Sequence, residues 1–311
     1  MKLIFMGTPD FAVSSLRALV EAGHEVALVV TQPDKPKGRG HKMSPPPVKE
    51  YALEKGIEVY QPNSVRTQEA YDKLASYGAQ VFVVAAYGKI LPQTVLDLPT
   101  YGCINVHASL LPKYRGAAPI QWSIANGEKV TGVTTMQMDA GLDTGDILLK
   151  TEIEILSEDN GETLHDKLAA AGANLLLETL KKLSTGDLSG EKQDDSLSCY
   201  APMLNKETSK IDFTKTAVEV SNLVRAMDPY PAAHTLYQGK RMRVFSARVE
   251  EWERKGDCGE ILEVNSDGIL VRCFRGAVRI TEIQFDGKKR MPVCEYVKGN
   301  RIDVGEILGA E

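Results

Sequence analysis

The first thirty residues constrain the fold most. LIFMG, DFAVSSLRALVEAG and HEVALVVTQ follow one another as a short apolar run, an amphipathic stretch and a second apolar run, the pattern of strand, helix and strand. A strand that returns beside its predecessor through a helix pairs with it in parallel, so the chain opens a parallel sheet with helices on its faces. QVFVVAA, GCINVHA and TGVTTMQM read as further strands, and residues 68–76 and 119–126 as amphipathic helices. The expected class is α/β, with a Rossmann-like, mostly parallel sheet and flanking helices.

Residues 162–183 space leucines and alanines at helical intervals and stop near Gly186. The segment that follows, GDLSGEKQDDSLSCYAPM, is polar and unperiodic, the composition of an inter-domain connection. Domains are therefore expected at 1–186 and 206–311, joined through 187–205. In the second, a helix near 214–227 precedes DPYPAA and short runs broken at QGK, SDG, FRG and DGKK, which punctuate antiparallel strands joined by tight turns. A small OB-like β-barrel is the expected architecture. No internal repeat is present, which sets solenoids and propellers aside.

Charge and composition exclude several function classes. The net charge is −5, without the overall basic field of a protein that binds nucleic acid mainly by neutralising phosphates. The distribution is uneven: residues 1–205 carry 19 Lys and Arg against 25 Asp and Glu, whereas 206–311 carry 18 against 17, so the second half is the better partner for a polyanion. No apolar run reaches the roughly 18 residues of a membrane span, since Lys89 interrupts VFVVAAYGKIL, and MKLIFMGTPDF lacks a secretory cleavage site. The five cysteines are scattered and never spaced Cys-x-x-Cys, which fits a reducing cytoplasm. The five histidines also lie far apart, so a metal-free centre is expected.

Four segments could carry chemistry. Gly7-Thr8-Pro9-Asp10 exposes backbone N–H groups at a helix start, suited to an anion or simply to helix initiation, and it is not the Gly-x-Gly-x-x-Gly dinucleotide turn. TQPDKPKGRGHKMSPPPVKE sets Lys35, Lys37, Arg39, His41 and Lys42 among prolines and glycines that forbid regular structure. It reads equally as a clamp for phosphates and as a solvated loop. In GCINVHASLLPKYRGAAPIQWSI a strand delivers Asn105 and His107 with one residue between them, so both side chains share a face that opens toward the crevice of an α/β sheet. His107 is placed there for proton transfer or charge stabilisation, or packs structurally. MDAGLDTGDI holds Asp139, Asp143 and Asp146, any of which could orient an imidazole or cap its own turn. A nucleophilic role for Ser109 or Cys103 lacks a Gly-x-Ser-x-Gly elbow.

FMGTPDFA, QPDKPKGRGHK, AAYGKILP, INVHASLLPKYRGAAPIQWSI and MDAGLDTGDIL together resemble the formyltransferase-fold family that uses 10-formyltetrahydrofolate, and within it the methionyl-tRNA formyltransferases. The resemblance runs nearly end to end. It implies a catalytic trio of Asn105, His107 and Asp143. It also implies tetrahydrofolate contacts at Ser109, Leu110, Leu111 and Pro112, and a folate pocket bordered by Tyr87, Gly88, Ile90 and Leu91. The basic loop resembles one that wedges into a tRNA acceptor arm, with Lys35, Lys37, Arg39 and Lys42 as cations and Arg39 foremost. The implied reaction passes a formyl group from 10-formyltetrahydrofolate to the α-amine of methionyl initiator tRNA, in the cytoplasm, without metal or membrane, by a monomer. A relative formylating a small amine, such as an amino sugar or glycinamide ribotide, is the alternative, and it would need neither the basic loop nor the C-terminal domain.

Overall fold

The computed structural model describes residues 1–37, 42–254 and 256–309. In chain order the elements begin β1 (Lys2–Gly7), α1 (Asp10–Glu21), β2 (Glu25–Val30), β3 (Lys35–Lys37), β4 (Lys42–Ser44), α2 (Pro47–Glu54), β5 (Val59–Tyr60), α3 (Gln68–Ser76), β6 (Val81–Ala85), α4 (Gln93–Leu96) and β7 (Cys103–His107). They continue with β8 (Arg115–Gly116), α5 (Pro119–Ala125), β9 (Val130–Gln137), β10 (Ile147–Glu154), α6 (Gly161–Thr185), β11 (Tyr200–Ala201) and α7 (Ala217–Met227). The remainder is β12 (Ala233–Tyr237), β13 (Lys240–Glu250), β14 (Ile261–Asn265), β15 (Gly268–Arg272), β16 (Ala277–Phe285), β17 (Met291–Pro292) and α8 (Val293–Tyr296). Contacts divide the chain into two compact units: 1–116 with 130–154 and 165–201, and 117–129 with 155–164 and 202–311.

The first unit carries a seven-stranded sheet in the order β10-β9-β7-β6-β1-β2-β5. From β5 to β7 every pairing is parallel, whereas β9 and β10 run antiparallel at one edge, which gives the mostly parallel sheet expected. The chain winds from β1 outward to β2 and β5, then returns to the other side of β1 for β6 and β7. That reversal opens the crevice at the carboxyl ends of the strands where such sheets hold ligands. Ile4, Met6, Leu28, Val30, Phe82 and Val84 interlock in one buried cluster on the sheet. Each such side chain removed from water contributes about 1.5–3 kcal/mol, which keeps strand register unambiguous beneath the crevice. Thr67 starts α3 by accepting the Ala70 N–H.

The basic segment departs from the expectation of irregular structure. Lys35 pairs with Ser44, Pro36 with Met43 and Lys37 with Lys42, which makes an antiparallel ribbon. Both strands of a lone ribbon are edges, and an edge tolerates a proline at a position that need not donate to the ladder.

The second unit is built on an antiparallel sheet, β12-β13-β16-β15-β14, with β17 added to β16. Its core joins Val220, Val224 and Met227 of α7 to Val244, Val271, Ile280 and Ile283 of the sheet. A capping box starts α7: Thr216 accepts the Glu219 N–H while the Glu219 carboxylate accepts the Thr216 N–H. Among the described residues no helix is long and apolar enough to cross a membrane.

Candidate active site

Strand β7 is paired on both sides, Asn105 lying opposite Val84 of β6 and Met136 of β9, and His107 opposite Thr134. Both side chains are therefore carried by backbone that cannot shift without breaking the sheet. Asn105 is 9% and His107 6% exposed. The Asn105 carboxamide has no hydrogen-bond partner among the described residues, so a ligand that reaches it meets two free donors.

His107 is oriented from the loop that follows it. Its Nε2 lies 3.0 Å from the carbonyl oxygen of Tyr114, and a carbonyl only accepts, so Nε2 carries the proton. Tyr114 itself adopts a left-handed backbone, φ 60°. The other ring nitrogen, Nδ1, stands 3.7 Å from Asp143 Oδ2, within ion-pair range but beyond a hydrogen bond.

Of the three clustered aspartates, only Asp143 faces the imidazole. Asp139 is exposed and caps its own turn, accepting from Gly141 N–H and Thr144 Oγ1, and Asp146 pairs with the exposed Lys192. Because β9 runs against β7, the loop leaves the sheet beside the start of β7, where Met138 N–H donates to Cys103 O, and it folds back before rejoining as β10 on the far side of β9, with Gln137 N–H donating to Asp146 O. Asp143 lies at the far point of that excursion with φ 54°, and its Oδ2 accepts Gly116 N–H at 2.8 Å. Gly145 permits the close return, since a Cβ there would lie 1.7 Å from Gln137 O.

The segment after β7 is closed by its own hydrogen bonds. Ser109 is fully buried and its Oγ donates to Lys113 O at 2.6 Å, while Thr134 Oγ1 donates to Ser109 O and accepts Leu111 N–H. Leu110 presses on Gly132, where a Cβ would come within 2.6 Å of it, Leu111 is buried, and Pro112 follows a cis bond. In the loop after β6, Tyr87 and Leu91 are buried in the sheet core, Gly88 has φ 78° and Ile90 is exposed. Tyr87 O accepts from Thr8 Oγ1 and Gln32 Nε2, and burial pushes the Tyr87 hydroxyl up to about 12. Lys35 is exposed on the ribbon, Lys37 and Lys42 are register partners at its end, and Arg39 lies outside the described residues.

Two side chains that sequence reading passed over join the site. Gln193 donates to the carbonyls of Asp143 and Gly145, and Arg115 donates to the Gln193 side-chain oxygen. Gln193 is 50 residues from Asp143 within a polar tract, and nothing in composition or spacing distinguishes it there.

The chain matches the Formyl transferase family over residues 1–180 and its C-terminal domain family over 203–301. It is 53% identical to a methionyl-tRNA formyltransferase of Ruminiclostridium cellulolyticum, spanning 99% of this chain and 100% of the relative. It is 52% identical to one of Geobacter sulfurreducens, spanning 99% and 97%. An N-formyltransferase from Helicobacter canadensis, solved in complex with folinic acid and dTDP-3-aminofucose, shares the fold with a TM-score of 0.66 at 20% identity, over 94% of this chain and 100% of that one. On matched families that account for both units and on full-length identity above one half, the chain belongs to the formyl transferase family, among the methionyl-tRNA formyltransferases.

Proposed function

We propose that this chain transfers the formyl group of 10-formyltetrahydrofolate to the α-amine of methionyl initiator tRNA, in the cytoplasm and as a monomer. The observation that carries the chemistry is the buried Asn105 carboxamide, unpartnered among the described residues, two residues from an imidazole that faces a carboxylate.

In this reading the methionyl nitrogen attacks the formyl carbon, a C–N bond forms, and the formyl oxygen becomes an oxyanion that accepts a hydrogen bond from Asn105. With Nε2 committed to Tyr114 O, the proton lost by the amine goes to Nδ1 of His107. The imidazolium so formed faces Asp143, whose negative charge stabilises it. The oxyanion then collapses, the bond from the formyl carbon to N10 breaks, and N10 leaves with the proton handed on from Nδ1 of His107, which returns the imidazole to its neutral form. The loops carrying Ser109 to Pro112 and Tyr87 to Leu91 border the donor, and the basic segment with Lys35, Lys37, Arg39 and Lys42 meets the tRNA.

The test supplies 10-formyltetrahydrofolate with charged initiator tRNA, and in parallel with an amino sugar nucleotide and glycinamide ribotide. Formylation of the tRNA alone supports the assignment. Turnover of a small amine with the tRNA ignored overturns it.

A further inference from the structure

Asp143 holds a left-handed backbone conformation, uncommon for a residue other than glycine, and something must hold it there. The grip comes from the polar segment near residue 193. Gln193 Nε2 donates to Asp143 O at 2.8 Å and to Gly145 O at 2.7 Å, the carbonyls on either side of Thr144. Its Oε1 accepts Nε and Nη2 of Arg115 at 3.1 and 2.8 Å. A guanidinium only donates and a carbonyl only accepts, so the Gln193 amide has one orientation that satisfies both sides. Arg115 precedes Gly116, the residue whose N–H holds the Asp143 carboxylate at 2.8 Å. Backbone and carboxylate of Asp143 are thus fastened from two consecutive residues, directly by Gly116 and through Gln193 by Arg115. Arg115 also pairs with Asp195, but that carboxylate is 82% exposed and screened by water.

We infer that Gln193, oriented by Arg115, is a positioning residue that aims the Asp143 carboxylate at His107. It touches no reacting atom. The inference rests on the assignment of Asp143 to the catalytic centre, and the experiment separates the two.

Formylation of methionyl-tRNA is measured for the full chain and for Gln193→Ala, Gln193→Glu, Asp143→Asn and the Gln193→Ala/Asp143→Asn double variant, with unfolding temperatures to confirm folding. Gln193→Ala lowers kcat about ten- to a hundredfold, the scale of losing a group that orients a functional ligand. KM for donor and tRNA stays within about twofold, because ground-state contacts are untouched. Gln193→Glu keeps shape and the Arg115 contact but turns an acceptor toward two carbonyls, and it fails at least as badly. In the Asp143→Asn background the Gln193→Ala change costs less than about threefold, since the group it positions is already disabled. Equal losses in both backgrounds, or a raised KM with unchanged kcat, overturn the inference while leaving the Asp143 assignment intact. Asp143→Asn turnover near that of the unaltered chain overturns the assignment and the inference together.

Discussion

The imidazole of His107 and the carboxylate of Asp143 stand 3.7 Å apart while each is held by a backbone group on the far side: Tyr114 O for the ring, Gly116 N–H for the carboxylate. The two anchors lie two residues apart, so the stretch after β7 sets the separation of imidazole and carboxylate. In the proposed mechanism a proton arrives at Nδ1, and Asn105 lies two residues before His107 on β7.

Asn105→Ala removes the donor proposed to meet the developing oxyanion. Turnover is expected to fall about 10²–10³-fold, the usual loss for one such donor, with KM for both substrates little changed. Single-turnover kinetics measure this directly, and a variant that kept normal kcat would remove Asn105 from the mechanism.

Gly145→Ala places a methyl 1.7 Å from Gln137 O, a contact with backbone that cannot swing aside. The loop must shift, at a cost of about 3 kcal/mol if overpacking elsewhere is a guide, and Asp143 shifts with it. The urea midpoint and kcat should drop together. Normal values of both would show that the return of the loop to β9 is looser than it looks.

In the second unit Arg279, 7% exposed, pairs with both Glu250 and Glu263, its Nη2 lying 2.9 Å from the latter. Its hydrogen bond holds the Glu250 carboxyl below the usual range, ahead of the opposing effect of desolvation. A depressed carboxyl contributes stability that is fully present above the ordinary glutamate value of about 4.3 and is lost as pH falls toward the folded-state value. Arg279→Met should destabilise by about 2 kcal/mol near neutrality, less than for fully buried pairs because both glutamates keep contact with water. The variant should also lose less further stability between about pH 5 and pH 3, across the fall through the ordinary glutamate value, since part of the acid-sensitive pairing is gone. Urea titrations at the two pH values decide it; an unchanged acid slope would sink the attribution.

The ribbon makes a separate prediction. Replacing Lys35, Lys37, Arg39 and Lys42 by alanine should raise KM for tRNA and flatten its dependence on salt, because fewer phosphate counterions are released on binding. KM for the folate donor should stay put. An unaltered tRNA KM across a salt series would mean that the ribbon is only surface.

Much of the fold follows from local pattern. Apolar runs of five or six residues punctuated by amphipathic stretches suffice to specify β1, α1 and β2, and period-two spacing suffices to put Asn105 and His107 on one face, because both are consequences of backbone geometry over a few residues. Family resemblance pointed to Asp143, yet nothing local separates it from Asp139 and Asp146. Tertiary structure makes that choice physically: β9 runs against β7, its loop folds back, and only the residue at the far point, in a left-handed conformation, reaches Nδ1. The ribbon of β3 and β4 was hidden for a related reason, since Pro36 weighs against a strand in sequence but is harmless where both strands are edges. Gln193 marks the limit. Its chemistry is that of any surface amide until the chain, 50 residues on, lays it across two carbonyls of the Asp143 loop. Contacts over that distance depend on how the sheet and its loops are arranged in space, which local spacing does not encode.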